Sequence, residues 1–235
     1  NHRGAGDGAG FASAGRMTGQ IRGLNMATKN ANDGLSMLAT IENATNDVTD
    51  MLHRMRELAV QAVNDTNSST DRGYLNSEAT SLIAEINRVA SDTEYNGAAV
   101  LNGDLASGEF QVGTNQGQTV AFSIDAVTAS ALSINAVSLA TASGAESALA
   151  AISTASETVA ADRANYGALQ NRLEYTVSNL MNVAEFTTAA RSRIEDADFA
   201  AESARLAKAQ VLQQTGTAML AQANASQQLV LSLFR

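Results

Sequence analysis

Residues 21–62 read IRGLNMATKNANDGLSMLATIENATNDVTDMLHRMRELAVQA. Apolar residues recur there alternately three and four positions apart, and the positions between them are mostly polar or charged. This spacing is typical of a helix with one buried seam. The seam positions, ten of twelve apolar, are Leu24, Ala27, Ala31, Gly34, Leu38, Ile41, Thr45, Val48, Leu52, Met55, Ala59 and Ala62. Because such a helix rises about 60 Å, we expect the chain to supply partner helices of similar length.

The same spacing predicts two partner helices. The first helix is expected to begin within residues 12–16 and to end at Asn64, before a polar turn. A second helix, over 72–93 and capped by Thr70 or Asp71, has its seam at Leu75, Ala79, Leu82, Ile86, Val89 and Thr93. A third, over 145–194, has its seam at Ala145, Ala148, Ile152, Ala155, Val159, Asp162, Tyr166, Leu169, Leu173, Thr176, Leu180, Val183, Thr187, Ala190 and Ile194. The short turn predicts an antiparallel pair of the first two helices.

Between the second and third helices the pattern changes. Residues 95–97 end the second helix, and apolar and polar residues then alternate on both sides of a turn at 115–118, which predicts a β-hairpin over about 110–124. Residues 125–144 are rich in Ala, Ser and Thr and favour no regular element. The expected fold class is mainly α: an elongated antiparallel coiled-coil helical bundle with a small β-hairpin region and a C-terminal amphipathic helix.

The last amphipathic segment runs from about Phe199 to Leu233, after an expected break at Glu195, Asp196 and Asp198. It has no charged residue from Ala209 to Phe234, yet it holds seven Gln or Asn residues. The amides argue against a membrane span, and the missing charge argues against a solvated surface helix. We therefore expect this helix to be buried among copies of itself or of a related helix.

Composition excludes several functional classes. The formal net charge is -9, and no Lys or Arg lies between Arg88 and Arg163, so nucleic acid is not an expected partner. The chain has no cysteine, and His2 and His53 are too far apart in sequence to suggest a metal or proton-relay site. Without a nucleophile motif either, we expect no catalytic residue, no cofactor and no bound metal, and hence no enzyme.

Several short motifs, taken together and in order, resemble bacterial flagellin. They are Asn30-Ala31-Asn32-Asp33-Gly34, Arg56-Glu57-Leu58-Ala59-Val60-Gln61, Tyr95-Asn96-Gly97, Gln170-Asn171-Arg172, Ala190-Arg191-Ser192-Arg193-Ile194-Glu195-Asp196, Leu212-Gln213-Gln214, Leu220-Ala221-Gln222-Ala223-Asn224 and Leu231-Ser232-Leu233-Phe234-Arg235. The resemblance implies two shaft halves, 1–103 and 145–197, a short variable region with the hairpin, 104–144, and a C-terminal filament-core helix, 198–235. The family normally carries a further N-terminal helix, so the chain is expected to be a fragment.

The resemblance also implies functional residues. Arg54, Arg56, Glu57 and Leu58, with the acidic position Glu85, are expected to contribute to contacts between subunits and to recognition by the Toll-like innate receptor for flagellin. From the residues alone, Arg54 and Glu57 are a solvated i, i+3 pair, and Leu58 fills the flank of the seam. The sequence hypothesis places Arg54, Leu58 and Glu85 on one exposed face. Filament-core packing is expected at Leu212, Met219, Leu220, Leu229 and Leu233.

The function implied is that of a structural subunit which polymerises into the flagellar filament for swimming. Implied partners are other flagellin subunits, a flagellar export chaperone, the cap and hook-junction proteins, and the host receptor. Implied localisation is extracellular, after secretion through the flagellar export apparatus. Two alternatives stay open at this point: a flagellar hook-filament junction protein, and a membrane-active helical protein.

Overall fold

The computed structural model describes residues 8–233, apart from the side chains at residues 8, 197–199, 201 and 225–233. The elements are α1 (Gly8–Val63), α2 (Ser69–Asp92), β1 (Glu94–Tyr95), β2 (Ala98–Ala99), β3 (Ser107–Gln111), β4 (Thr119–Ser123) and α3 (Ala142–Leu233). The predicted mainly α class is confirmed. Contacts divide the chain into two compact units, one of residues 8–22 with 183–233 and the other Gly23–Asn182.

In the unit Gly23–Asn182, the seam of α1 is buried at all twelve predicted positions. Two of those positions are not apolar, and each has a local solution. The hydroxyl of Thr45 donates to the carbonyl of Ile41 at 3.0 Å, which satisfies it inside the core. Gly34 leaves room for the ring of Phe110, whose carbon atoms would lie 3.0 Å from a Cβ built on the glycine.

A second buried row runs beside the seam of α1. Met37, Ala44 and Leu58 are buried and Met51 is half-buried, and these four residues recur every seven positions. A helix that packs against one partner buries two positions in each heptad, whereas a helix that packs against partners on two sides buries a third position as well. The second row therefore reflects packing of α1 against more than one partner within this unit, and Ile86 of α2 and Ile152 of α3 belong to the same core.

The turn between α1 and α2 is closed by one arginine. The Arg72 guanidinium donates to the carbonyls of Ala62 at 2.8 Å, Asn67 at 3.0 Å and Asn64 at 3.1 Å. Carbonyls at a helix C-terminus lack intrahelical donors, so this cation supplies what the last turn of α1 needs. The prediction that the two helices form a short-turned antiparallel pair is confirmed.

Helix α2 begins earlier than predicted, and its cap differs. Ser68 is the N-cap, and its hydroxyl accepts from the backbone of Asp71 while the Asp71 carboxylate accepts from the Ser68 backbone. The expected cap at Thr70 or Asp71 was wrong because this reciprocal capping box places the acidic residue at the third helical position instead. Hydrogen bonds from Ser68 lower the pKa of Asp71.

Helix α3 runs from Ala142 without interruption through the expected break at 195–198. Its start is fixed by Thr141, whose hydroxyl accepts from the backbone of Gly144 at 3.0 Å. The predicted break was wrong because the acidic residues join i, i+4 pairs that support a helix: Arg191 with Glu195 at 3.7 Å and Ser192 with Asp196 at 2.9 Å. No proline or glycine interrupts this stretch.

The predicted hairpin is confirmed as β3 and β4, paired antiparallel with Phe110 opposite Val120. The rings of Phe110 and Phe122 stack with centroids 4.5 Å apart. The Asn30 side-chain amide donates to the Gln111 carbonyl at 3.0 Å, so the hairpin lies against α1 where Gly34 admits Phe110. A second, two-residue ladder of β1 and β2, around Asn96 and Gly97, was not predicted.

Residues 125–139, here called the strap, form an irregular segment packed on the helices. Five of its apolar side chains are buried: Val127, Ala129, Leu132, Ile134 and Leu139. Two side chains of α2 hold its backbone, since Asn87 accepts from the amide of Ala129 at 2.9 Å and Asn76 from that of Leu139 at 2.7 Å. The strap thus obtains backbone hydrogen bonds without regular structure of its own.

Asp162 occupies a seam position of α3 with only 6% of its surface exposed. Its Oδ2 atom has no hydrogen-bond partner among the described residues. Burial raises its pKa to about 6, and the charge of Asp125 and a hydrogen bond with it add to the shift. On the next turn, burial raises the pKa of Tyr166 to about 12, while its hydroxyl accepts from the Asp125 amide at 3.3 Å. A charged Asp162 is therefore costly in the folded chain.

We predict that Gly34→Ala lowers the free energy of unfolding by about 1–2 kcal/mol, because the new methyl group would overlap the Phe110 ring. Gly73→Ala is the matched control: it lies within α2 with no atom within 4 Å, and the gain in helix propensity should stabilise the chain by about 0.5–1 kcal/mol. Urea denaturation measures both changes. A stabilising Gly34→Ala would show that the hairpin does not pack there as described.

We predict that Asp162→Asn stabilises the chain at neutral pH. The folded pKa of about 6 exceeds the ordinary aspartate pKa of 3.8, so the wild type loses stability as pH rises through this interval, by up to about 3 kcal/mol. The neutral amide avoids that loss, so the gain should be largest above pH 6 and should shrink as pH falls toward 4. Thermal melts across this range measure it, with Glu157→Gln, at an exposed carboxylate of α3, as control. A gain independent of pH would contradict the assignment.

Candidate subunit-interface site

A shallow groove lies on the outer face of α1. It is lined by His53, Arg56, Glu57 and Val60, which occupy positions between the seam residues and point away from the core. Val60 is 58% exposed, an apolar side chain between charged neighbours. The groove therefore offers one apolar contact flanked by both signs of charge, a composition suited to a protein partner.

Arg54 links this face to α2. Its guanidinium bonds Glu57 on the same helix and Glu78 on α2, both at 2.8 Å, and the hydrogen bond to Glu78 contributes most to raising the pKa of Arg54. The pair with Glu57 was predicted from the sequence, but the pair with Glu78 was not. It could have been predicted, because Arg54 and Glu78 are each twelve residues from Thr66, the middle of the antiparallel turn, and therefore face each other across the helix pair. The side chains are about half exposed, so the pairs contribute little to stability.

Leu58 does not lie on this exposed face. It is 1% exposed and belongs to the second buried row of α1, so the hypothesis that Arg54, Leu58 and Glu85 share one exposed face was wrong for Leu58. The reason is that α1 is covered on two sides, which encloses the position next to the seam. The simpler interpretation, in which Leu58 fills the flank of the seam, is confirmed.

Glu85 lies in a separate charge cluster on α2. Arg88 bonds Glu85 at 2.5 and 2.9 Å and Asp92 at 3.0 Å, and the hydrogen bonds to Arg88 lower the pKa of Glu85. Glu85 follows Glu78 by two helical turns, a rise of about 10 Å. The structure thus brings Arg54 together with Glu57 and Glu78 and leaves Glu85 one cluster farther along α2.

The other predicted site is at the end of α3. Every described side chain in residues 203–224, here called the terminal segment, is exposed, including Leu212 at 60%, Met219 at 71% and Leu220 at 66%. Leu229 and Leu233, also predicted to pack in a filament core, have side chains outside the described residues. No helix in the described part of the chain is long and apolar enough to cross a membrane. The terminal segment therefore presents a helical apolar face that nothing in the described chain covers.

The described residues contain no group of three or more His, Asp or Glu side chains arranged to hold a metal ion. His53 lines the groove on α1, and its ring is exposed.

Comparison with known proteins decides the family. The chain matches the bacterial flagellin N-terminal helical region over residues 2–106 and the C-terminal helical region over 149–234. The chain belongs to the bacterial flagellin family. It is 40% identical to flagellin of Halalkalibacterium halodurans, with 100% of this chain and 87% of the relative covered. It is 42% identical to the flagellar filament 33 kDa core protein of Treponema phagedenis, with the same shares covered.

Solved structures agree with the flagellin fold. The Bacillus cereus flagellin structure matches with a TM-score of 0.58 and 29% identity, over 65% of this chain and 88% of that one. A putative flagellar hook-associated protein of Vibrio parahaemolyticus matches with a TM-score of 0.67 but 14% identity, over 81% of this chain and 100% of that one, so it supports the fold alone.

Membership of the family settles the main function. This flagellin is a structural subunit of the bacterial flagellar filament, a polymer of flagellin subunits outside the cell. Nothing favours the alternative of a hook-filament junction protein or of a membrane-active protein.

Proposed function

We propose that this flagellin assembles by burying the terminal segment between subunits, with the α1 groove as a second contact between neighbouring subunits. The observation that carries the proposal is the uncovered apolar face of Leu212, Met219 and Leu220, in a stretch without charge from Ala209 to Phe234. Burying a large apolar side chain contributes about 1.5–3 kcal/mol, so several per subunit provide a substantial driving force. Leu229 and Leu233 continue the same apolar composition in the sequence and are proposed to join this packing.

The proposed roles of the segments follow the domain boundaries expected from the sequence. Residues 1–103 and 145–197 would form the shaft, 104–144 the variable region, and 198–235 the filament-core helix. Support for the last boundary comes from burial, because side chains of α3 within Gly23–Asn182 include a buried row whereas those of the terminal segment are exposed.

We further propose how the chain reaches the filament. An uncovered apolar helix is prone to aggregate, so a flagellar export chaperone that covers the terminal segment would protect it before secretion through the flagellar export apparatus. The cap and hook-junction proteins are proposed as partners at the two ends of the polymer.

The assembly proposal predicts that Leu220→Asp abolishes filaments without altering the monomer. The side chain is exposed in the single chain, so its helicity and melting temperature should stay unchanged. Burying an unpaired carboxylate costs several kcal/mol, and about 3 kcal/mol raises the concentration needed for assembly about a hundredfold. Electron microscopy and swimming assays of a flagellin-deleted strain carrying the variant gene measure the result.

Lys208→Asp is the control for the assembly test, because it changes an exposed, already charged position on the same helix. It should leave most assembly intact. Filaments of Leu220→Asp as abundant as those of the wild type would rule out burial of this face. A variant whose monomer melts at a lower temperature would show instead that Leu220 packs within the single chain.

We also propose that the exposed charges Arg54, Arg56 and Glu57 of α1, together with Glu85 on α2, contribute to recognition by the Toll-like receptor for flagellin. The support is that Arg56 and Glu57 belong to a motif that resembles the family's, and that Arg54, Arg56 and Glu57 are exposed on α1. Leu58 is proposed to act indirectly, by holding the shape of α1, because it is buried.

The receptor proposal predicts that the double variant Arg54→Ala, Arg56→Ala needs an about tenfold higher concentration for half-maximal reporter signalling. This change corresponds to a loss of roughly 1.4 kcal/mol of binding free energy, as expected when arginines in a contact are truncated. Circular dichroism should stay unchanged because both side chains are exposed. Lys29→Ala, which removes an exposed cation from α1 about seven helical turns away from Arg54, is the control. Leu58→Ala is unsuitable, since a buried leucine truncation costs about 2–5 kcal/mol of stability. Equal signalling by the double variant and the wild type would show that Arg54 and Arg56 do not contribute to receptor recognition.

A further inference from the structure

The chain contains two Asn-Gly pairs close together in sequence, Asn96-Gly97 and Asn102-Gly103. An asparagine followed by glycine can lose its side-chain amide spontaneously, because glycine has no side chain to hinder attack by its own backbone nitrogen. Whether a folded chain permits the reaction depends on how freely the side chain and that nitrogen can meet. The two pairs differ in this respect.

Asn96-Gly97 forms the two-residue turn between β1 and β2, with φ of 53° at Asn96 and 78° at Gly97. Asn96 is exposed, and neither its side chain nor the backbone N–H of Gly97 has a hydrogen-bond partner among the residues that the structure describes. No atom lies within 4 Å of a Cβ built on Gly97. Each flanking strand is two residues long, so little structure opposes rotation of the turn.

Asn102-Gly103 is held in place. The Asn102 amide donates to the Asp104 carboxylate at 2.6 Å, and its oxygen accepts from the Asp104 backbone at 2.9 Å. Both ends of the side chain are thereby fixed in a local turn. Asn102 is half-buried, and a Cβ built on Gly103 would lie 3.5 Å from Ala126. The reacting atoms of this pair cannot meet without breaking these contacts.

We propose that Asn96 is a site of spontaneous deamidation and isoaspartate formation in the native chain, whereas Asn102 is protected. The backbone nitrogen of Gly97 loses its proton and attacks the Asn96 side-chain carbonyl carbon. The bond from that carbon to Nδ2 breaks, ammonia leaves with the proton, and a succinimide ring forms. Water then opens the ring at either carbonyl, giving aspartate or isoaspartate without any oxidant or reductant.

The products would alter this turn in two ways. Isoaspartate adds a methylene to the backbone, which is incompatible with a two-residue turn between paired strands. Either product adds a negative charge two residues from Glu94. Isoaspartate at an exposed turn is also a substrate for the class of enzymes that methylate isoaspartyl carboxylates with S-adenosylmethionine.

The experiment incubates the purified full chain at mildly alkaline pH and follows both asparagines by mass spectrometry. Cleavage after Glu94 and Glu109 gives one peptide, residues 95–109, that contains both sites, so fragmentation reports their ratio within one molecule. We expect Asn96 to react roughly tenfold faster than Asn102, because the Asn96 side chain can rotate whereas hydrogen bonds hold that of Asn102. Methylation by an isoaspartyl methyltransferase should label the aged chain at residue 96.

Two controls make the test decisive. In urea the two rates should become similar, because the difference comes from the fold. Asp104→Ala removes the acceptor that holds the Asn102 amide and should accelerate Asn102 while leaving Asn96 unchanged. Equal native rates at the two sites, or a faster rate at Asn102, would overturn the proposal.

Discussion

The unit Gly23–Asn182 depends on the burial of two parallel rows of α1. The seam alone would suit a two-stranded coiled coil, but the second row of Met37, Ala44 and Leu58 requires cover on a second side. The neighbouring elements can be understood as supplying that cover: α2 returns directly after the turn, α3 adds Ile152 and other seam residues, and the strap and hairpin pack on the helices. Small residues at Ala31, Gly34 and Ala59 admit close approach, which explains how a core with few aromatics reaches complete burial.

Periodicity predicted the helices, because a row every three or four residues has one interpretation when it continues for several turns. Periodicity also accounts for Leu58 on the flank of the seam, since Met37, Ala44, Met51 and Leu58 repeat every seven residues. The pairing of Arg54 with Glu78 was predictable from the symmetry of the antiparallel turn. Glu85 was associated with Arg54 only through the family resemblance, and the local i, i+3 partner Arg88 competes for it.

Other features were not accessible from a local pattern. The apolar residues of the strap show no periodicity, because side chains and not a regular element bond its backbone. These side chains, Asn76 and Asn87, lie at positions of α2 that the helical pattern predicts to be solvated. The capping box at Ser68 depends on a reciprocal bond that several neighbouring polar residues could have formed. The expected break at 195–198 rested on an acidic cluster, but Glu195 and Asp196 pair with Arg191 and Ser192 one turn earlier, which supports the helix.

Heptad spacing does not by itself decide burial, and α3 demonstrates this within one helix. Ile152, Val159 and Leu173 are fully buried, whereas Val183 at the same spacing is 37% exposed and Leu212 and Leu220 more so. An apolar face is stabilising only when another surface covers it. For a filament subunit, a face left uncovered in the single chain places that stabilisation in the polymer. When the covering surface is a different patch of the next copy, each added subunit exposes a new face, and the assembly continues as an open helix instead of closing into a ring. If the terminal segment is buried between subunits as proposed, the absence of charge from Ala209 to Phe234 has a physical reason, because one unpaired charge there would be buried in every subunit.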